Sequence, residues 1–303
     1  MGRIAEALKK AEQQRREKLT ETEPSAGEAA LRTGESLCPP LPAELNVPPD
    51  APAAAHTAEP RSPVEGMSES LVTYYEPSSM ISEQYRGLRT RLLSQNPDND
   101  HRVIVVTSSI PRDGKSVTAL NTAFVLAEIR HLKILVVDGD FRRSSLARLL
   151  NLQAKSGLAD LLRGEAGYDE VIQTTPVPNL FFIAAGDTKG RGAAEVLSAE
   201  SAGAVFATFR NRFHYTLVDS PPATTVTDVG IIGRWCNGVL LVVRLNQTPD
   251  PVAHRAVRTL QVNNVPIIGV VLVGSEARTP GYGYYRYYKY YRYYKPGAED
   301  EKR

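Results

Sequence analysis

Four stretches of this sequence carry side chains that could do chemistry together. In VIVVTSSIPRDGKSVTALNTAFVLA, an apolar run passes through a loop and Gly114-Lys115-Ser116 opens a helical pattern. Backbone N–H groups of such a loop, with a helix N-terminus behind them, converge on one spot and favour anionic oxygens. Gly114 lets the backbone approach a phosphate, Lys115 reaches the β- and γ-phosphates, and the Ser116 hydroxyl completes a shell of hard oxygens around Mg2+. This is a P-loop, with Ser109 in place of the usual first glycine. In ILVVDGDFRRSSLARLL, Asp138 and Asp140 follow an apolar run at once. Alternate residues of an extended chain point the same way, so both carboxylates can face the phosphate site, where Mg2+ would offset their repulsion. In YTLVDSPPATTVTD, Asp219 ends a run as a Walker B carboxylate does, holding a metal-bound water; Asp228 reads as a helix cap rather than a ligand. Together these residues suit a nucleoside triphosphate with Mg2+.

The fourth stretch, YGYYRYYKYYRYYK, spans Tyr282 to Lys295 and holds nine of the fourteen tyrosines: Tyr282, Tyr284, Tyr285, Tyr287, Tyr288, Tyr290, Tyr291, Tyr293 and Tyr294. As a strand it would bury alternate residues, but Arg and Lys recur every third position, which fits neither strand nor helix. Basic residues among aromatics could bind single-stranded nucleic acid by stacking and phosphate contacts. The remaining reading is a flexible substrate for the chain's own phosphate site, and the P-loop with its paired aspartates favours it. A free tyrosine titrates near ~10, so its proton must be removed by a base. Asp138 is the candidate base, and Arg112, in the loop, either adds charge near the γ-phosphate or is an exposed loop arginine.

These groups need a scaffold. The apolar segments RVIVVTSS, KILVVDGD, LFFIAAG, YTLVDSPP, GVLLVVRL and IIGVVLVG alternate with helical patterns. Strands apolar at consecutive positions are buried on both faces, the mark of a parallel sheet covered by helices. Right-handed crossovers then predict a doubly wound α/β domain over residues 71–275, with ligands at the carboxyl ends of its strands. Just before the first strand, PSSMISEQYRGLRTRLLSQ predicts a serine-capped helix with Glu83, Arg86 and Arg89 on roughly one face. Residues 1–18 predict an amphipathic helix through Ile4, Leu8 and Ala11, either a solvated helix that frays or one that docks a partner. Residues 19–70, rich in Pro, Ala, Glu and Ser, predict a disordered linker, and residues 276–303 a flexible tail.

Composition excludes several classes. Lys+Arg 36 against Asp+Glu 34 gives a net charge of +2 in 303 residues, no global case for nucleic acid. The two cysteines, Cys38 and Cys236, form no metal-ligand spacing and suit a reducing compartment. The N-terminus lacks the apolar run of a signal peptide, and Glu6 stands where a myristoylation motif wants Ser or Thr. The longest apolar runs are too short to span a bilayer. The expectation is a cytoplasmic protein, brought to the inner face of the membrane by a partner.

The endings Pro-x-Asp-Gly-Lys-Ser, Asp-Gly-Asp-x-Arg and Asp-Ser-Pro-Pro, with the tyrosine-rich tail, resemble those of the bacterial tyrosine autokinases (BY-kinases), which control assembly of capsular and extracellular polysaccharides. The resemblance covers about residues 71–295. It implies the fold of the deviant-Walker, MinD-like P-loop ATPases. It implies nucleotide contacts from Pro111, Asp113, Gly114, Lys115, Ser116 and Val117, and metal contacts from Ser116, Asp140 and Asp219. It implies catalytic roles for Lys115, Asp138 as base and Asp140 as its companion, and a Glu83-x-x-Arg86-x-x-Arg89 helix that joins subunits into a ring. The ring would offer one subunit's tail to a neighbour's site. A membrane-embedded polysaccharide co-polymerase as activator and a phosphotyrosine phosphatase are the implied partners, with no nucleic acid. The sequence departs from the family at Val273, where many members carry an asparagine near the adenine, and around Gly192 to Ser198. Ile110 holds the place of the signature lysine of the cell-division and partition ATPases, which disfavours a ParA/MinD-like positioning ATPase. A nucleotide-binding scaffold without turnover is the third reading.

Overall fold

Successive apolar residues in β1 (Arg102–Ser108) point to opposite faces of one sheet: Val103 and Val105 enter one core, Ile104 and Val106 the other. The same pattern builds β2 (Ile134–Asp138), β4 (Leu180–Ile183), β5 (Tyr215–Asp219) and β6 (Gly238–Arg244). The structure, a computed structural model of the chain, describes residues 64–225 and 227–274. The helix expected over 1–18, most of the linker expected over 19–70 and the tyrosine-rich strip lie outside the described residues.

The sheet order is β3-β4-β2-β5-β1-β6-β7, with β7 at Ile267–Val273. All neighbours are parallel except β3 (Gln173–Thr174), a two-residue antiparallel edge too short to leave a periodic signal. The edge strand β7 is less covered than its neighbours, and Val270 and Leu272 are exposed.

Helices α1 (Val72–Tyr75), α2 (Met80–Ser94) and α3 (Lys115–Ala127) cover one face. Short helices α4 (Leu146–Leu150), α5 (Leu158–Leu162), α6 (Tyr168–Val171) and α7 (Ala193–Leu197) fill the connections. Helices α8 (Ala202–Arg212), α9 (Asp228–Gly233) and α10 (Asp250–Val262) cover the opposite face, where Phe206, Phe209 and Leu260 are buried. Helix α3 is buried from Thr118 to Ala127, with Leu120 and Phe124 packed on the strands, so its N-terminus is held rigidly at the sheet's carboxyl edge. Helix α2 starts as the sequence predicts: Ser79 Oγ accepts from Ser82 N at 3.2 Å.

Residues 64–70, read from sequence as linker, are tied into this layer. Ser68 N donates to Leu149 O at 2.9 Å, and the Tyr75 hydroxyl donates to Met67 O at 3.0 Å. Met67 is buried and Val64 packs against the same core, two apolar residues in a polar stretch and therefore below what periodicity can detect. No helix among the described residues is long and apolar enough to cross a membrane.

Candidate active site

The phosphate loop joins β1 to α3. Gly114 caps α3 with φ 101°, a left-handed conformation that a side chain would strain. The loop is braced from both sides. Ser108 Oγ donates to Ile110 O at 2.8 Å, and Thr224 Oγ1 donates to Ser109 O at 2.6 Å. Asp113 is buried: one oxygen accepts from Ile110 N at 3.1 Å, the other from Thr248 Oγ1 at 2.7 Å. The resemblance implies a nucleotide contact for Asp113, yet both its oxygens are occupied in holding the loop. Pro111 and Arg112 are exposed at the tip, and Arg112 adopts φ 72°. Val117 lies one turn into α3, half-buried.

Three aspartates meet this loop. The parallel register sets Asp138 opposite Asp219, and Asp219 opposite Val106 of the strand that feeds the loop. Gly139 N donates to Asp219 O at 2.7 Å, and a Cβ on Gly139 would stand 2.8 Å from that same oxygen. Only glycine lets β2 close onto β5 between the two carboxylates. Lys115 Nζ then lies 3.0 Å from Asp140 Oδ2 and 3.2 Å from each Asp219 oxygen. Ser116 Oγ donates to Asp219 Oδ2 at 2.5 Å, and Ser145 Oγ donates to Ser116 Oγ at 2.9 Å. Ser145 was not singled out from sequence; its only signal is its place just after Asp-Gly-Asp-x-Arg.

Asp138 is enclosed by donors. Its Oδ2 accepts from Ser144 Oγ at 2.9 Å, Ser145 N at 3.0 Å and Leu146 N at 3.1 Å. Among the described residues its Oδ1 accepts only from Asp140 N, at 3.2 Å, so lone-pair capacity remains on that oxygen. Asp140 Oδ1 accepts from Arg142 N at 3.3 Å and Arg143 N at 3.0 Å. Burial raises the Asp138 carboxyl against the pull of these donors. Burial, with the charge of Asp138 beside it, pushes Asp219 up to about 7, while Lys115 and Ser116 oppose the rise. Burial alone would depress the Lys115 ammonium, but Asp219 and Asp140 outweigh it and hold it above its ordinary value.

The donor set fits Mg2+. Ser116, Asp140 and Asp219 offer hard oxygens beside the phosphate loop, and Mg2+ is usually held by one or two carboxylates together with phosphate oxygens. Among the described residues no cluster of three or more His, Cys, Asp or Glu is placed to hold a metal unaided.

Other residues fall elsewhere. Arg86 Nε and Nη2 and Arg89 Nη1 meet the Glu128 carboxylate of the same chain, and Arg86 Nη1 lies 2.5 Å from Glu83 Oε1. Asp228 is not a cap. It is the first residue of α9, behind the cap Thr227, and its Oδ2 lies 3.4 Å from Arg142 Nε. Gly192 caps α7, away from these groups in sequence and element. Val273 ends β7 beside the loop: a Cβ on Gly114 would stand 3.7 Å from Val273 Cγ2.

A parallel sheet that delivers a phosphate loop from β1 and carboxylates from the ends of β2 and β5 defines a P-loop nucleotide-binding protein of the doubly wound α/β class. No protein-family model matches the sequence. Individual relatives do, and the chain belongs to the bacterial tyrosine-kinase (BY-kinase) family. EpsB of Ralstonia nicotianae is 33% identical over 231 residues, which are 74% of this chain and 30% of EpsB. The tyrosine-protein kinase YwqD of Bacillus subtilis is 27% identical over 220 residues, 72% of this chain and 92% of YwqD. Among solved structures, the BceF tyrosine kinase domain is 29% identical with a TM-score of 0.60, covering 67% of this chain and 81% of that one. The chain thus spans under a third of EpsB and nearly all of YwqD.

Proposed function

We propose that this protein is a tyrosine autokinase that transfers the γ-phosphoryl group of ATP to the 282–294 tyrosine strip of a second copy. The carrying observation is the convergence of Lys115, Ser116, Asp138, Asp140 and Asp219 at one phosphate loop, in a chain that also supplies the acceptor tyrosines. The names of its relatives support the same reading.

Phosphoryl transfer depends on placement and charge cancellation more than on covalent help. The loop N–H groups and Lys115 hold the phosphates. When bound at Ser116, Asp140 and Asp219, Mg2+ supplies further positive charge to their oxygens. A tyrosine oxygen forms its bond to the γ-phosphorus as the bond to the bridging oxygen breaks, and ADP departs. The phenolic proton passes to Asp138 Oδ1, the carboxylate oxygen with capacity left. Burial raises this group towards a useful base strength. Ser144 and the α4 backbone fix its orientation.

Delivery of a tail to a neighbour's site requires self-association, and we assign Glu83, Arg86 and Arg89 to that contact. The resulting phosphorylation state would regulate synthesis and export of capsular or extracellular polysaccharide. A membrane-embedded activator would recruit the protein to the inner face of the membrane, and a phosphatase would reverse the mark. Incubation with labelled ATP, followed by phosphotyrosine mapping of residues 282–294, tests the activity. Label on the strip in wild type and none in Lys115→Met is expected. Equal label in both would refute it.

A further inference from the structure

Ser145 stands where a serine usually caps a helix, yet its hydroxyl is used differently. It is the residue before α4, and its side chain makes no cap bond. A serine at that place ordinarily accepts from a backbone N–H in the first turn. Ser145 Oγ instead donates to Ser116 Oγ at 2.9 Å, across 29 positions of sequence. The rest of the residue is held still. Its backbone N–H donates to Asp138 Oδ2 at 3.0 Å, its carbonyl accepts from Leu149 N at 3.0 Å, and the next residue, Leu146, is buried in the core. The hydroxyl is therefore presented to Ser116 from a fixed, half-buried point between β2 and α4.

What this does for Ser116 follows from its hydrogen-bonding capacity. A serine hydroxyl has one proton to donate and two lone pairs to accept with. The Ser116 proton goes to Asp219 Oδ2 at 2.5 Å, and one lone pair takes the Ser145 proton. Among the described residues the other lone pair meets only Lys115 Nζ, at a long 3.3 Å. With the proton and one lone pair engaged, the hydroxyl cannot turn, and its remaining lone pair keeps one direction.

A metal ligand whose orientation is fixed by an outer partner binds its metal more tightly, and loss of such a partner weakens metal binding by roughly 10–100-fold. We infer that Ser145 is a positioning residue for Mg2+, which locks the Ser116 hydroxyl with one lone pair left for the metal. This rests on the nucleotide and metal site proposed above and goes beyond it, because the metal's affinity is then set by a residue outside both the ligand set and the phosphate loop.

Calorimetric binding of ADP to the full chain, over a range of Mg2+ and in EDTA, tests it in wild type, Ser145→Ala and Ser145→Thr. Ser145→Ala loses no cap bond and keeps the N–H on Asp138. It is expected to need about tenfold more Mg2+ than wild type to reach the same ADP affinity, with binding in EDTA unchanged. Ser145→Thr keeps the hydroxyl and is expected to restore the wild-type Mg2+ requirement. An unchanged requirement in Ser145→Ala overturns the inference. Equal weakening with Mg2+ and in EDTA also overturns it, since the loss would then lie in the phosphate loop. Wild type that binds ADP equally well with and without Mg2+ overturns it without any variant, and wild type that binds no ADP sinks the nucleotide site as well. The expected Mg2+ shift, in a protein whose wild type never labels its tail, supports this inference and sinks the kinase reading.

Discussion

Arg86 grips Glu128 with two donors at once: Nε stands 2.9 Å from Oε2 and Nη2 2.7 Å from Oε1. Arg89 adds a third contact at 2.5 Å and donates to Val125 O at 2.7 Å. Glu128 closes the C-terminal end of α3, the helix whose other end opens at the phosphate loop. Helix α2 is thereby fixed to the element that carries Lys115. Glu128→Ala leaves two half-buried arginines without their acceptor and is expected to destabilise the fold by about 1–3 kcal/mol in urea titration.

The same contact should depend on pH. Burial would raise the Glu128 carboxyl, but Arg86 and Arg89 outweigh it and hold it below its ordinary 4.5. Its contribution is complete above that ordinary value and disappears as pH falls through the lowered folded value. The stability gap between wild type and Glu128→Ala should therefore be constant near neutrality and shrink in acid. A gap unchanged far below 4.5 would contradict the assignment.

The network also bears on self-association. While Arg86 and Arg89 are held by Glu128, they have few donors left for a second copy. Glu128→Gln weakens that hold and is expected to increase the oligomeric mass seen by light scattering. A smaller mass than wild type would mean that Glu128 positions the arginines for the neighbour instead.

Lys115 is the next residue to test. Lys115→Met removes the cation between Asp140 and Asp219 and is expected to abolish tail phosphorylation. Breaking a buried ion pair from one side costs about 3–5 kcal/mol, unless a carboxylate takes up a proton instead. Asp219, already pushed up to about 7, is the group placed to do so. The deficit in thermal stability should be smaller at pH ~6 than at pH ~8.

Most of this site was legible in the sequence because its signals are local. Gly114-Lys115-Ser116 and Asp138-Gly139-Asp140 each lie where an apolar run stops, and the run's length shows how the strand delivers them. What escaped depends on contacts between distant segments. Asp113 reads as a loop carboxylate until Thr248, 135 positions away, occupies one of its oxygens. Arg86 and Arg89 read as one face of a helix, but only packing of α2 on α3 brings Glu128 to them. Asp228 has the composition of a cap, yet Thr227 takes that place and Arg142 engages its carboxylate.

Asp219 yields a sharper pH test. A carboxyl raised from its ordinary 3.8 to about 7 favours the fold when protonated. That stability is fully present below the ordinary value and is lost as pH rises through the folded one. Asp219→Asn cannot titrate, so wild type should lose stability relative to it between pH ~4 and ~7, by at most about 1.4 kcal/mol per pH unit. Parallel curves for the two proteins across that window would show that Lys115 keeps Asp219 ionised throughout.

The tail sets the last expectation. Arg286, Lys289, Arg292 and Lys295 give the strip four positive charges. Each phosphate adds about −1.5 to −2 near neutral pH, so about two or three neutralise the strip and further ones reverse its sign. A tail that enters a neighbour's acidic site as a cation should leave it as an anion. Phosphorylation past that crossover is expected to lower the oligomeric mass. Light scattering on fractions resolved by phosphate number should show the fall only beyond about two or three phosphates, and raised salt should blunt it by screening. The same mass in every fraction would show that tail charge does not govern assembly.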